Sequence, residues 1–370
     1  MNESPDGASA GVAAGRFIDR DITNLAKLAV DRQSRTPPEV KEGLVGDRYR
    51  KSIENAQYPF SALAQALLIE EPAIFVSYVI WSGIALAHLG LTDAFLIGSL
   101  TAMRETLLDA LPDRLSAVSV EYIDTSIVAF EGASAELPDT MSEGAPLAAV
   151  AAGYLDALLA GDRAGAAGVV RDAVTAGAVL PDIYEHVFRT TQHEVGRMWQ
   201  SDRLSVAMEH FATGATAAIM AQLCMPEPTL PADARRFLGA CAEGEQHDLA
   251  IRMVCDVLRS QGWETFFLGA STPESALVEA VDEFRPTVVG LSATWLLNVD
   301  NVRRAIGCIR ETHPEVKILV GGAPFDRIAG LAEKVGADAL GGDLLGLPDQ
   351  LDRLVTTSRL SAGRGLRVAL

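Results

Sequence analysis

The chain has 370 residues, 49% of them hydrophobic, and a formal net charge of −18 at pH 7. This length is enough for about two or three domains, each with its own core. The acidic excess argues against nucleic acid as a direct partner, because the phosphate backbone requires a basic surface. The cysteines, Cys224, Cys241, Cys255 and Cys308, show no CxxC spacing. They indicate buried thiols in a reducing, cytoplasmic compartment rather than disulfides or a zinc site.

The N-terminal part predicts helices. No secretory signal is visible, and residues 1–40, rich in Gly, Ala, Asp and Arg, are predicted to form a flexible segment that contains a short amphipathic helix over residues 17–30. In residues 41–140 apolar side chains recur at spacings of three and four, which predicts an all-helical module. Its most apolar run, residues 73–91, is long enough to cross a membrane. Polar residues such as Ser77 and His88 interrupt that run, so we predict a buried helix and no membrane association.

The remainder predicts a helical bundle followed by an α/β domain. Residues 145–225 form four helical patterns with short connections, typical of an antiparallel four-helix bundle. Polar residues 131–143 precede the bundle, and a linker containing Pro226, Pro228 and Pro231 follows it. Residues 235–360 alternate between strand and helix patterns, which predicts a doubly wound, Rossmann-like parallel sheet of five strands. The predicted strands are 236–241, 265–269, 287–292, 317–321 and 338–341, and the predicted helices are 146–160, 164–177, 181–199, 203–224, 248–261, 274–284, 299–311, 326–335 and 346–358.

The loop after the first predicted strand carries Glu245 and His247. A histidine there can reach a ligand at the carboxyl edge of the sheet. A carboxylate two residues earlier can hold one imidazole nitrogen and leave the other for a metal. On this motif alone, a solvated histidine in a polar loop is the alternative. Other candidates for binding the same ligand lie beside this motif or in the later loops: Gln246, Asp248, Ser292, Thr294, Gly321, Gly322, Gly341 and Gly342.

These loops together resemble a known pattern. The cobalamin-binding domain of methionine synthase carries Asp-x-His-x-x-Gly, then Ser-x-Leu, then Gly-Gly. The matching residues here are Glu245-x-His247, Ser292-x-Thr294 and Gly321-Gly322, with Ala250 in place of the first Gly. The resemblance implies that His247 is the lower axial ligand of cobalt. It also implies that the displaced dimethylbenzimidazole tail enters the sheet near the Ser-x-Thr and Gly-Gly residues.

A second pattern lies in the predicted bundle. Trp199 is followed ten residues later by Glu209-His210. This resembles CarH-type photoreceptors, in which a Trp and a Glu-His pair lie over the upper face of adenosylcobalamin. The resemblance implies that Trp199 covers the adenosyl group and that Glu209 and His210 line the upper face. A core Trp with a surface Glu-His pair is the alternative. CarH-type proteins have His after the Trp, whereas this chain has Gln200, so a second cobalt ligand would have to be His193 or His210.

The domain order resembles that of photocobilins, which bind biliverdin beside cobalamin. A bilin needs cationic partners for its propionates and aromatic or apolar walls for its rings. The candidates in the helical module are His88, Arg50, Arg104 and Tyr78. Because no cysteine precedes Cys224, a thioether from this module is excluded. A structural or dimerisation module with a core histidine is the alternative.

The resemblances imply a non-enzymatic light sensor. Light-driven loss of the adenosyl group would change domain or subunit contacts in a homo-oligomer and so signal to a separate downstream protein. The spacing of Trp199 from Glu209-His210, together with the extra helical module, favours this function. The alternatives are a corrinoid carrier protein for a methyltransferase, a cobalamin subunit of a mutase, and a light-independent cobalamin sensor.

Overall fold

The computed structural model describes residues 8–33, 47–133, 141–142, 144–223, 230–231 and 234–365. The chain divides into two compact units, Met1–Glu136 and Leu137–Leu370. Cys224 lies outside the described residues, as do much of both predicted linkers and the first seven residues.

The first unit is all-helical, as predicted. Its helices are α1 (Ala10–Arg20), α2 (Ile22–Gln33), α3 (Asp47–Ile69), α4 (Pro72–His88), α5 (Asp93–Ala110) and α6 (Asp113–Glu131). The apolar run that was long enough for a membrane span is α4, which buries Ile74, Phe75 and Val79. None of the helices in the described ranges combines the length and apolar character needed to cross a membrane.

Residues 10–33 form two helices, so the prediction of a flexible segment is wrong for this stretch, although a helix was predicted over part of it, residues 17–30. The Ser9 hydroxyl caps α1 by accepting the backbone N–H three residues later, at 3.2 Å. A Cβ on Gly15 would lie 2.9 Å from the Leu68 side chain of α3. Ile18 is fully buried. Gly and Ala in this segment therefore allow close packing of helices, which the composition alone does not distinguish from flexibility.

The second unit begins with the predicted helical bundle. Its helices are α7 (Ala148–Leu159), α8 (Arg163–Thr175), α9 (Leu180–Asp182), α10 (Thr190–Gln200) and α11 (Val206–Leu223), with a π-helical turn, Ile183–Arg189, joining α9 to α10. The bundle core contains the fully buried rings of Tyr154, Tyr184 and Phe188. The ring centroids of Tyr154 and Tyr184 lie 5.2 and 5.5 Å from that of Phe188.

The predicted five-stranded parallel sheet is confirmed. Its strands are β1 (Arg236–Ala242), β2 (Glu264–Thr272), β3 (Val288–Ser292), β4 (Lys317–Gly321) and β5 (Ala339–Leu340), in the spatial order β2-β1-β3-β4-β5. The order reverses between β1 and β3, and ligands of such sheets bind outside the carboxyl ends of the strands at this point. The fold thus places the loops after β1 and β3 beside each other.

Six helices accompany the sheet: α12 (Leu249–Ser260), α13 (Glu274–Phe284), α14 (Val299–Thr312), α15 (Ala323–Arg327), α16 (Leu331–Lys334) and α17 (Leu347–Gly365). The single helix predicted over 326–335 is instead divided into α15 and α16. Gly330 precedes α16 with a φ of +77°, a left-handed conformation that interrupts the helix and that Gly adopts at little cost.

The bundle and the sheet domain pack together within the second unit. Met253 and Val257 of α12 belong to the same buried cluster as the bundle residues. The hydroxyl of Tyr184 donates to Asp256 Oδ2 at 2.9 Å, and Glu185 Oε2 accepts from Leu344 N at 3.0 Å. The π-helical turn therefore contacts both α12 and the loop after β5.

Tyr184→Phe is expected to lower the unfolding free energy of the second unit by about 1–2 kcal/mol. The substitution removes the hydroxyl that bonds Asp256, and hydrogen bonds to charged groups contribute about 1.5–3 kcal/mol. Urea denaturation followed by circular dichroism measures the change. An unchanged midpoint would mean that water replaces the hydroxyl without loss.

Asp338 gives the sheet a predicted pH dependence. Its carboxylate accepts from Ile318 N at 2.8 Å, from Lys317 Nζ at 3.4 Å and from the guanidinium of Arg310. Burial acts to raise the pKa of Asp338, but these donors hold it below its ordinary value. Such a carboxylate stabilises the fold above its unfolded pKa, and this contribution is lost as the pH falls through the folded pKa.

Asp338→Asn is accordingly expected to lower the unfolding free energy by about 1–2 kcal/mol at pH 7. The difference from the wild type should shrink below about pH 4, where unfolded Asp protonates. Denaturant titrations at pH 7 and at low pH measure it. Asp282→Asn is the control, since that exposed carboxylate should contribute little. A difference that persists at low pH would contradict the electrostatic explanation.

Candidate functional site

Glu245 and His247 lie in the loop between β1 and α12, here called the β1 loop. Glu245 is only 1% exposed. Its Oε1 accepts from the backbone N–H of His247 at 2.9 Å and lies 2.5 Å from His247 Nδ1. The imidazole is exposed, with 57% of its side-chain surface accessible. Because Glu245 engages Nδ1, Nε2 is the nitrogen that can ligate a metal.

The second carboxylate oxygen of Glu245 binds the loop between β3 and α14, here called the β3 loop. Glu245 Oε2 accepts from Thr294 N at 2.7 Å, from Trp295 N at 3.0 Å and from Asn298 Nδ2 at 3.1 Å. One buried side chain thus joins the two loops that flank the point where the strand order reverses.

The hydrogen bonds of Glu245 also shift the pKa values of Glu245 and His247. Burial acts to raise the pKa of Glu245, but the donors from His247 and Trp295 lower it to about 2. The carboxylate in turn raises the pKa of His247 by accepting its Nδ1–H, while burial acts in the opposite direction. Glu245 is therefore an anion at neutral pH and fixes the proton of His247 on Nδ1.

The β1 loop is also held from the side of β2. Gly244 N donates to Ser271 Oγ at 3.0 Å, and Ser271 N donates to the Glu245 carbonyl at 2.8 Å. Gly244 has a φ of +83°, and a Cβ there would lie 3.1 Å from Asn298 Oδ1. Sequence reasoning missed Ser271, Asn298 and Trp295, because these residues belong to no pattern around the histidine.

The glycines at the carboxyl edge have two different surroundings, close backbone packing at Gly322 and open space at Gly321 and Gly342. Ser292 is buried at the end of β3 and pairs with Gly321 of β4. Gly322 has a φ of +108°, and a Cβ there would lie 2.0 Å from the Ala293 carbonyl oxygen. A Cβ on Gly321 or on Gly342 would have no neighbour within 4 Å. An exposed imidazole beside open glycine backbone at the ends of β4 and β5 fits a large planar ligand that carries its own metal.

The other predicted residues of the sheet domain contribute in different ways. Thr294 provides its backbone N–H, not the hydroxyl that its residue type suggested. Gln246 is exposed. Asp248 precedes α12, where its charge raises the pKa of His247. Gly341 donates its N–H to the Val320 carbonyl at 2.8 Å, which places the last glycine pair at the end of β4 and β5.

The bundle faces the same site. The charge of Glu209 contributes to the raised pKa of His247, so the first turn of α11 lies near the imidazole. Glu209 Oε2 lies 2.6 Å from His210 Nδ1, and its Oε1 accepts from Thr213 Oγ1 at 3.0 Å. Trp199, near the end of α10, is 38% exposed. The site therefore has a helical side as well as a sheet side.

The four residues predicted to bind biliverdin have other surroundings in the helices that the structure describes. Arg50 lies 3.9 Å from Glu54, and Arg104 Nε donates to Asp124 at 2.9 Å. Both cations thus already have carboxylate partners. His88 is exposed at the end of α4, and burial raises the pKa of Tyr78 to about 12.

A cavity of about 200 Å³ in this unit is smaller than the roughly 300–1,000 Å³ typical of ligand pockets. It is lined by Leu28, Asp31, Arg32, Thr106, Asp109 and Ala110. None of the four predicted residues is among these, so this cavity does not support the biliverdin prediction.

Comparisons with known proteins identify the class of the second unit. Residues 235–343 match a family described as B12 binding domain, and residues 150–223 match a second family with the same description. These matches confirm the predicted cobalamin binding. The bundle and the sheet domain together form a cobalamin-binding module.

The similar curated proteins are corrinoid proteins. Dimethylamine corrinoid protein 1 of Methanosarcina acetivorans is 28% identical over 161 residues, which cover 42% of this chain and 75% of that protein. Trimethylamine corrinoid protein 1 of the same organism is 27% identical over 193 residues, covering 50% and 88%. Among solved structures, the monomethylamine corrinoid protein of Methanosarcina barkeri is 20% identical with a TM-score of 0.49, covering 56% of this chain and all of that one.

The light-sensor prediction is wrong. The similar proteins are named for methylamines, which favours the alternative of a corrinoid carrier protein. The photoreceptor resemblance depended on Trp199 and Glu209-His210, two short matches in a bundle that also matches a B12-binding family. These residues therefore do not distinguish photochemistry from other uses of cobalamin.

Proposed function

We propose that the second unit is a corrinoid carrier, which receives a methyl group and presents it to a separate methyltransferase. The observation that carries the proposal is the exposed His247, held by a buried carboxylate at the carboxyl edge of the sheet. This site lies in a module similar in sequence to dimethylamine and trimethylamine corrinoid proteins. Methylated amines are accordingly the substrate class that we propose for the partner enzyme.

Each part of the site has a proposed role. Bound cobalamin supplies a cobalt ion that can accept a methyl group and give it up again. His247 would hold the metal through Nε2, while Glu245 keeps the imidazole oriented by binding Nδ1. Gly321, which has open space beside its Cα, leaves room at the strand end for the displaced tail, while Gly322 packs against the Ala293 backbone next to Ser292.

The helical side provides the upper part of the site. Glu209 and His210 present a paired carboxylate and imidazole on the first turn of α11, and Trp199 presents an exposed ring. We propose that these three side chains would line the helical side of bound cobalamin, on the side from which a methyltransferase would approach it.

Binding and transfer measurements test the proposal. The purified chain should bind methylcobalamin in a histidine-on form in the dark. After loading with hydroxocobalamin and reduction, it should gain a methyl group when dimethylamine and a methylamine methyltransferase are both supplied. The absorption spectrum and the mass of the extracted corrinoid report the transfer. Tight binding confined to adenosylcobalamin, with no methylation, would overturn the proposal in favour of a mutase subunit.

A further inference from the structure

We propose that Asn298 is a positioning residue that fixes the orientation of His247 through the buried carboxylate of Glu245. This inference rests on the proposed role of His247 as the cobalt ligand. Asn298 lies outside the Glu-x-His motif, 51 positions beyond His247 in the chain. It reaches the motif only because the β1 and β3 loops are neighbours in the sheet.

The orientation of the imidazole depends on Glu245 Oε1. That oxygen contacts both the backbone N–H and Nδ1 of His247, at 2.9 and 2.5 Å. The position of Oε1 is in turn set by the rotation of the carboxylate plane. The donors to Oε2 determine this rotation, because the two oxygens turn together. A group that binds Oε2 therefore acts on His247 without touching it.

Asn298 is the side-chain donor among the three groups seen on Oε2. The other two are the backbone N–H groups of Thr294 and Trp295, which belong to the same stretch of the β3 loop. Asn298 Nδ2 donates from the start of α14, at 3.1 Å. An ionised carboxylate only accepts hydrogen bonds, so the amide nitrogen must be the atom that faces it.

The local structure of Asn298 supports a role beyond helix formation. Asn298 is the N-cap residue of α14, yet its side chain makes no capping hydrogen bond. Asn is favoured at this position because its oxygen normally accepts a helix N–H. Here that oxygen lies against Gly244, where a Cβ would be 3.1 Å away, and the nitrogen binds Glu245. The side chain thus makes a hydrogen bond to the β1 loop and none to the N–H groups of its own helix.

Asn301 provides a matched control. It lies one turn further along α14, and its Nδ2 donates to the Glu243 carbonyl at 2.7 Å. It therefore attaches the same helix to the same loop without contacting the Glu245 carboxylate. If attachment of the loop is all that matters, the two asparagines should be equivalent.

The test compares Asn298→Ala, Asn298→Asp and Asn301→Ala in the full chain loaded with hydroxocobalamin. Titration measures the affinity for cobalamin. After one-electron reduction, nitrogen splitting in the electron paramagnetic resonance spectrum shows whether a nitrogen atom is bound to cobalt. Asn298→Ala is expected to weaken binding about 10-fold, as do changes to other groups that orient metal ligands, and to lower the histidine-on fraction. Asn298→Asp keeps the shape of the side chain but removes the N–H donor to Glu245. It should weaken binding and lower the histidine-on fraction at least as much as Asn298→Ala. Asn301→Ala should stay within about twofold of the wild type.

The outcomes separate this inference from the proposed function. A wild-type spectrum without nitrogen splitting would overturn the assignment of His247 itself. Two results would overturn the role of Asn298 alone, provided that the wild type shows nitrogen splitting. In the first, Asn298→Asp has the affinity and spectrum of the wild type; in the second, Asn298→Ala and Asn301→Ala have the same affinity and spectrum. Thermal midpoints establish that each variant folds, and Asn298→Asp decides the test if the alanine variant does not.

Discussion

His247→Ala is expected to abolish the histidine-on spectrum of the cobalamin-loaded protein and to weaken cobalamin binding by more than about 100-fold. Changes to groups that merely orient a metal ligand cost about 10–100-fold in affinity, so loss of the ligand itself should cost more. The side chain is exposed, and its hydrogen bond is to Glu245 within the same loop. The fold of the apo protein should therefore be largely preserved.

Absorption spectra and equilibrium titration with hydroxocobalamin measure the effect. His313→Ala is the control, because His313 precedes β4 at the opposite edge of the sheet and contacts Asp282 at 3.3 Å. That variant should keep the wild-type spectrum even if its stability falls. Added imidazole should partly restore the nitrogen-ligated spectrum of His247→Ala. A variant that binds cobalamin with unchanged spectrum and affinity would show that His247 is not the ligand.

The sequence predicted the sheet domain well because its signals are local. Buried parallel strands such as β3 and β4 are short apolar runs, and a polar or glycine-containing loop follows each. The same alternation placed Glu245 and His247 beyond β1, where the structure shows the carboxylate bound to Nδ1. A contact between side chains two positions apart, such as Glu245 and His247, can be inferred from their spacing, since the short stretch of backbone between them allows few other arrangements of the two side chains.

Contacts between distant segments were not predictable in this way. Glu245 accepts hydrogen bonds from Trp295 and Asn298, which lie 50 and 53 positions further along the chain. An Asn before a helix indicates an N-cap, which is how the residue would ordinarily be interpreted. Gly and Ala in α1 were misread for a similar reason, since their partner is α3 and composition does not reveal a partner.

The error about function has another cause. Trp199 and Glu209-His210 are few residues at one spacing, and a helical bundle offers many positions where such residues fit. Their geometry in the structure, an exposed Trp199 ring and a hydrogen-bonded Glu209–His210 pair, is compatible with any ligand on the helical side. The sequence pattern that indicated cobalamin, by contrast, combined a carboxylate, an imidazole and glycines from three loops, and the family matches support cobalamin binding. The identification of cobalamin binding was therefore more secure than that of the chemistry performed with it.

Glu245→Gln is expected to lower the unfolding free energy of the apo second unit by about 2–4 kcal/mol. The carboxylate accepts five hydrogen bonds in the described part of the chain, two on Oε1 and three on Oε2. A glutamine must present an NH₂ group to one of these two sets. An NH₂ group facing the Oε2 set leaves three donors without an acceptor, and one facing the Oε1 set leaves the backbone N–H of His247 without an acceptor and requires the imidazole to change tautomer; each buried unpaired donor costs about 1–3 kcal/mol.

The same change should weaken cobalamin binding about 10–100-fold, because the imidazole loses the partner that orients it. Urea denaturation of apo protein measures the first effect, and titration with hydroxocobalamin the second. Glu243→Gln is the matched control, since it lies in the same stretch of chain with an exposed side chain, and it should change neither quantity appreciably. Glu245→Asp should retain more affinity than Glu245→Gln, because it keeps an acceptor for both sets of donors. If Glu245→Gln and Glu243→Gln behave alike, the buried carboxylate does not organise the two loops.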